Sequence, residues 1–213
     1  MARTAAKICG LTTPAALDAA VAGGAAHVGL VFFPPSPRHL SFDAGSALAA
    51  GVPDRVGRVG VFVDPDDSLL ERAVGAGRLS ALQLHKTSPD RVAAIAGRWP
   101  LELWVAVAVK ARADLDQAAR YRGVATRVLY DARTPDGAAL PGGMGVRFDW
   151  TLLDGFRHPL PWALSGGLDC GNVAEAIRRT GAPIVDVSSG VETAPGVKDA
   201  ARITAFLSAV ASA

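Results

Sequence analysis

Two side chains in this sequence stand where a proton could be moved. Cys9 ends the apolar run Ala5, Ala6, Lys7, Ile8, Cys9, with Lys7 two residues before it and Gly10 directly after. A thiol at the end of a strand can act as a base once ionised, although free cysteine also serves as a small buried hydrophobe. Asp131 follows Val128, Leu129 and Tyr130. A carboxylate closing an apolar strand must be solvated or engaged, either in chemistry or as a cap for the next loop. If both strand ends open on one mouth, thiol and carboxylate form an acid and base pair.

The other polar strand ends could bind rather than react. Ser165, Gly166, Gly167 and Ser188, Ser189, Gly190 are glycine-containing junctions whose backbone N–H groups could face a phosphate. The cluster Pro141, Gly142, Gly143, Met144, Gly145 is a third, as a flap or another phosphate-side loop. Arg38 follows Pro34, Pro35, Ser36 and Pro37, and a stiff loop would hold its planar fork at the rim for a carboxylate, or simply leave it solvated. Asp186, Gln83 and His85 complete the group. His27, His39, His85 and His158 have no metal-ligand spacing with one another or with the cysteines, so no metal is expected. Cys170 is read as a structural or incidental thiol in a helix-start loop.

These residues need a scaffold that gathers strand ends. Short β-branched runs finishing near Cys9, Val31, Val63, Leu84, Val107, Asp131, Ser165 and Val187 alternate with Ala/Leu-rich stretches of helical spacing. Ile203, Phe206, Leu207 and Val210 mark one helix face, and Val173 with Ile177 mark another between the candidate cap Asn172 and Gly181. Eight such units predict an α/β chain folded as one small (β/α)₈ barrel over residues 1–213, with the site at the C-terminal ends of the strands. A dinucleotide-binding sheet would want G-x-G-x-x-G after the first strand, where Lys7, Ile8, Cys9, Gly10 stand instead.

Composition narrows the partner. The 213 residues are 50% hydrophobic and 20% charged, and 22 basic against 20 acidic residues leave +2 without a basic cluster. Nucleic acid is therefore not expected, and no apolar run approaches the roughly 20 residues that cross a bilayer. A small-molecule substrate, a cytoplasmic location, two unpaired cysteines and a monomer or homodimer are the expectations.

In order along the chain, KICG (7–10), GLVFFPPSPR (29–38), VGVFV (59–63), QLH (83–85), Asp131, FDW (148–150), LSGGL (164–168) and DVSSGVE (186–192) resemble the phosphoribosylanthranilate isomerases of tryptophan biosynthesis. The resemblance implies a cofactor-free Amadori rearrangement of N-(5-phosphoribosyl)anthranilate. It implies Asp131 as general acid on the ribose ring oxygen and Cys9 as general base at carbon 2. Arg38 would hold the anthranilate carboxylate, Gly166, Gly167, Ser189 and Gly190 the phosphate, and Asp186 the sugar hydroxyls. The chain departs from the family pattern at Lys86, Val105, Met144, Cys170 and Gly171. The related histidine-pathway isomerase would carry Asp where Cys9 stands, and a catalytically silent sugar-phosphate-binding barrel would need neither Cys9 nor Asp131.

Overall fold

Along each strand, side chains alternate between two faces, and this alternation decides what the barrel encloses. In the computed structural model, which describes residues 3–133, 145, 147 and 149–213, eight strands pair in sequence order. They are β1 (Ala5–Cys9), β2 (His27–Val31), β3 (Gly57–Val63), β4 (Ala81–His85), β5 (Glu102–Val109), β6 (Arg127–Ala132), β7 (Trp162–Leu164) and β8 (Ile184–Val187). All neighbours are parallel, and β8 returns to β1 to close the ring. The strand ends fall within two residues of those expected from sequence. Met144, the rest of 134–144 and Phe148 lie outside the described residues.

Helices α1 (Pro14–Ala22), α2 (Phe42–Ala50), α3 (Asp67–Gly77), α4 (Pro89–Arg98), α5 (Val173–Thr180) and α6 (Ala200–Ala211) cover the outer face. After β5 and β6 the crossovers are 3₁₀ segments, Arg112–Tyr121 and Trp150–Leu153. Local chemistry starts the helices: Thr13, Ser41, Asp66, Ser88 and Asp199 each accept from the backbone N–H three residues on. Asn172 precedes α5 as expected but does not cap it. Its Oδ1 accepts from Asp169 N at 3.0 Å and its Nδ2 donates to the Gly167 carbonyl at 2.9 Å, so it braces the loop after β7 instead. Lys86 has φ +53°, in the left-handed region that favours glycine. No helix among the described residues is long and apolar enough to cross a membrane.

Inward-facing positions divide the barrel interior by depth. At the base, Val59, Ala81, Trp104, Leu129, Ala163 and Ile184 form an apolar layer. Trp104 is completely buried, its Nε1 donates to Glu102 Oε2 at 2.9 Å, Arg127 lies 4.9 Å over its ring, and His27 meets its edge at 5.0 Å. Such a plug turns the lower barrel into a packed floor beneath the polar strand ends. Trp104→Ala is expected to cost about 3–5 kcal/mol, because it leaves a cavity in a fully buried layer. Denaturant midpoints test this, and a loss below about 1 kcal/mol would show that the floor does not depend on the indole.

Candidate active site

Parity carries Lys7 into the site. Lys7 and Cys9 are two apart on β1, so a thiol facing the interior brings a lysine inside with it. Lys7 is 0% exposed, and its Nζ lies 2.8 Å from Asp186 Oδ1 of β8. Ser165, just past β7, donates to Asp186 Oδ2 at 3.3 Å. Across from them Gly29 leaves room on β2: a Cβ there would sit 2.8 Å from Cys9 Sγ and 3.2 Å from Lys7 Nζ. Thiol and ammonium share that one gap. Asp131 of β6, Gln83 and His85 of β4 are also buried and face the same interior, with Gln83 Nε2 2.9 Å from His85 Nε2.

Burial and the Lys7–Asp186 pair together set the ionisation of this group. Loss of water pushes the Asp131 carboxyl up, and the nearby Asp186 charge adds to it, to about 7, against lowering by the Ala132 N–H, Ser165 and Lys7. Burial also raises the Cys9 thiol, opposed chiefly by Lys7. For Lys7 itself burial works against the charge, but Asp186 and then Cys9 outweigh it and hold the ammonium firmly protonated. Burial drops His85 to about 4, so it is neutral at pH 7. The interior therefore holds a protonated Lys7 in contact with Asp186, beside a carboxyl raised to where it can give up a proton near neutral pH.

Arg38 is buried rather than solvated. Its Nε and Nη2 each lie 2.7 Å from a carboxylate oxygen of Glu192, a bidentate pair. Its stem covers the turn after Cys9, since a Cβ on Gly10 would fall 2.5 Å from Arg38 Cδ. Lys198 Nζ reaches the same Glu192 at 2.6 Å. Glu192 closes the DVSSGVE run, but nothing local in the sequence assigns a role to it or to Lys198.

The two glycine junctions meet each other. Gly166 and Gly167 have φ +88° and +63°, and a side chain on Gly190 would collide with the Leu168 carbonyl. Only glycine permits this approach of the loops after β7 and β8. Gly145 lies beside Ser189, its would-be Cβ 3.7 Å from the Ser189 hydroxyl oxygen. Cys170 is exposed, and both cysteines are free. Among the described residues no three His, Cys, Asp or Glu side chains are grouped to hold a metal ion.

A carboxyl raised from the unfolded value of about 3.9 to about 7 binds its proton more tightly folded than unfolded. The fold then loses stability as pH rises from 4 to 7 and stays penalised above. Asp131→Asn is accordingly expected to raise the melting temperature at pH 8, by about 2–4 °C for each kcal/mol relieved, and to leave it nearly unchanged at pH 4. Equal shifts at both pH values would contradict the raised carboxyl.

Comparison with known proteins then places the chain. The family model described as N-(5'phosphoribosyl)anthranilate (PRA) isomerase matches residues 6–209. An N-(5'-phosphoribosyl)anthranilate isomerase of Zymomonas mobilis subsp. pomaceae is 56% identical over 206 residues, covering 96% of each chain. The crystal structure of phosphoribosyl anthranilate isomerase from Thermotoga maritima superposes with TM-score 0.88 at 35% identity, over 99% of this chain and 100% of that one. A phosphoribosyl anthranilate isomerase solved with reduced 1-(o-carboxyphenylamino)-1-deoxyribulose 5-phosphate gives TM-score 0.85 at 32% identity, over 99% and 100%. With a barrel closed in the same way and a family match from the first strand to the last helix, this chain belongs to the N-(5'-phosphoribosyl)anthranilate isomerase family.

Proposed function

We propose that this chain carries out the Amadori rearrangement of N-(5'-phosphoribosyl)anthranilate to 1-(2-carboxyphenylamino)-1-deoxyribulose 5-phosphate, with Asp131 as general acid and Cys9 as general base. Asp131 gives its proton to the ribose ring oxygen as the C1–O bond breaks, opening the ring to a protonated Schiff base. Cys9, as thiolate, takes the proton from carbon 2, and the electron pair moves to leave an enolamine. Tautomerisation to the ketone completes the isomerisation, and both proton carriers are side chains of the protein. The observation that supports this most is the buried Asp131 with its carboxyl raised to about 7, facing the interior that also holds Cys9. A carboxyl of ordinary acidity would be ionised at neutral pH and have no proton to deliver.

Binding assignments follow the same geometry. The joined loops of Gly166, Gly167, Ser189 and Gly190 would take the phosphate on backbone N–H groups. Arg38 would draw the anthranilate carboxylate, since Arg38, Lys198 and Glu192 together carry a net charge of +1 beside Cys9. Asp186, already held by Lys7 and Ser165, would act mainly by keeping Asp131 protonated and secondarily on the sugar hydroxyls. The solved relative holds a reduced form of the product, which supports the same substrate here.

Turnover of N-(5'-phosphoribosyl)anthranilate by the purified chain tests this reading, and no turnover from folded protein would favour a silent barrel. Cys9→Ala and Asp131→Asn should each lose about 10²–10⁴-fold in kcat. The active form needs the group of lower pKa protonated and the group of higher pKa ionised. Such a pair is a constant minor fraction between the two pKa values, so kcat/KM should fall below about pH 7, hold level above, and fall again past the raised thiol. An acid limb near pH 4 instead would overturn Asp131 as the acid.

A further inference from the structure

We propose that Glu192 is a positioning residue: the small hairpin after β8 exists to aim Arg38, and Glu192 is its grip. This rests on Arg38 as the contact for the anthranilate carboxylate. The hairpin is built from β9 (Glu192–Ala194) and β10 (Val197–Lys198), which pair antiparallel outside the barrel. Glu192 holds Arg38 through both oxygens, at 2.7 Å each, across 154 residues of chain. Its own place is fixed from several sides: the Gly196 N–H donates to Oε2 at 3.2 Å, Lys198 Nζ to Oε1 at 2.6 Å, and Arg202 Nη1 to its carbonyl. The hairpin turn is pressed against the Arg38 loop, because a side chain on Gly196 would run into the Pro37 carbonyl.

From Lys198 the contacts continue into the reacting centre. Lys198 Nζ donates to the Ser188 carbonyl at 2.9 Å and approaches Ser188 Oγ at 3.2 Å, and that hydroxyl donates to the Cys9 carbonyl at 3.2 Å. One bracket thus ties the arginine, the loop that leads into Ser189 and Gly190, and the backbone of Cys9. A lone buried guanidinium could turn about its stem, whereas a fork gripped on its Nε and Nη2 edge has one orientation. Lys198 offsets the Glu192 charge, so fixing the arginine does not cancel the attraction for an anion. Two alternatives make different predictions: a Glu192 that only dampens charge, and one that only holds the fold.

Three variants separate them. Glu192→Gln should raise KM roughly 10–100-fold, with kcat within about threefold and the inhibition constant of inorganic phosphate unchanged. Glu192→Asp keeps the charge but withdraws the grip, and should raise KM as well. If Glu192 only dampened charge, Glu192→Gln would lower KM; if it only held the fold, KM, kcat and phosphate affinity would worsen together with the melting temperature. Either result overturns the proposal. Placed on Arg38→Met, Glu192→Gln should change KM by less than about twofold, because its effect passes through the arginine. Arg38→Met with an unchanged KM would overturn the carboxylate contact and this proposal with it. A raised KM there, with Glu192→Gln at the wild-type value, would overturn this proposal alone. Should Glu192→Gln fail to fold, Glu192→Asp carries the test, and an unchanged KM there would overturn the proposal.

Discussion

The Lys7–Asp186 ion pair, sealed inside the barrel, is the interaction on which the rest of the site depends. Burying two charges costs several kcal/mol apiece, and their attraction recovers that only with good geometry and further hydrogen bonds. Here the 2.8 Å contact and the Ser165 hydroxyl supply both. The pair is weak as a source of stability and strong as a source of field. Each neighbour feels the two ions unequally: Lys7 outweighs Asp186 at Cys9, and Asp186 outweighs Lys7 at Asp131. One neutral pair therefore eases the thiol towards ionisation and keeps the carboxyl protonated, which are the opposite conditions a base and an acid require.

The barrel supplies this asymmetry through strand parity and depth. Lys7 lies across from Asp186 in the pairing of β1 with β8, so the ion pair is a consequence of register rather than of loop conformation. Beneath it the apolar floor around Trp104 keeps the interior filled, which maintains the low dielectric that makes the charges effective. Above it, Gly29 opens the space that Cys9 and Lys7 share. Binding groups come from loops, and the loops are tied to one another: the glycine junctions by direct backbone approach, Arg38 by the hairpin that carries Glu192.

Much of this was legible in the sequence, for local reasons. Short apolar runs that alternate with stretches of helical spacing read as strands, so Cys9, Asp131 and Asp186 could be placed within one residue of strand ends without a structure. Lys7 was legible in principle, since it shares the parity of Cys9, but a lysine is ordinarily read as solvated and only the closure of β8 on β1 gives it a partner. Glu192 and Lys198 were not legible. Their meaning is a contact with Arg38 on the far side of the chain, and no periodicity records a pairing over 154 residues. Asn172 shows the opposite failure, where a correct local rule found the helix start but the side chain was drawn to the Gly167 loop instead.

Titration of the carboxyl groups by carbon-13 NMR, wild type against Asp131→Asn, tests the central claim most directly. The account predicts one buried carboxyl that titrates near pH 7 in the wild-type protein and is missing from the variant. A wild-type spectrum in which every carboxyl has ionised by about pH 5 would contradict it, because Asp131 would then hold no proton to give.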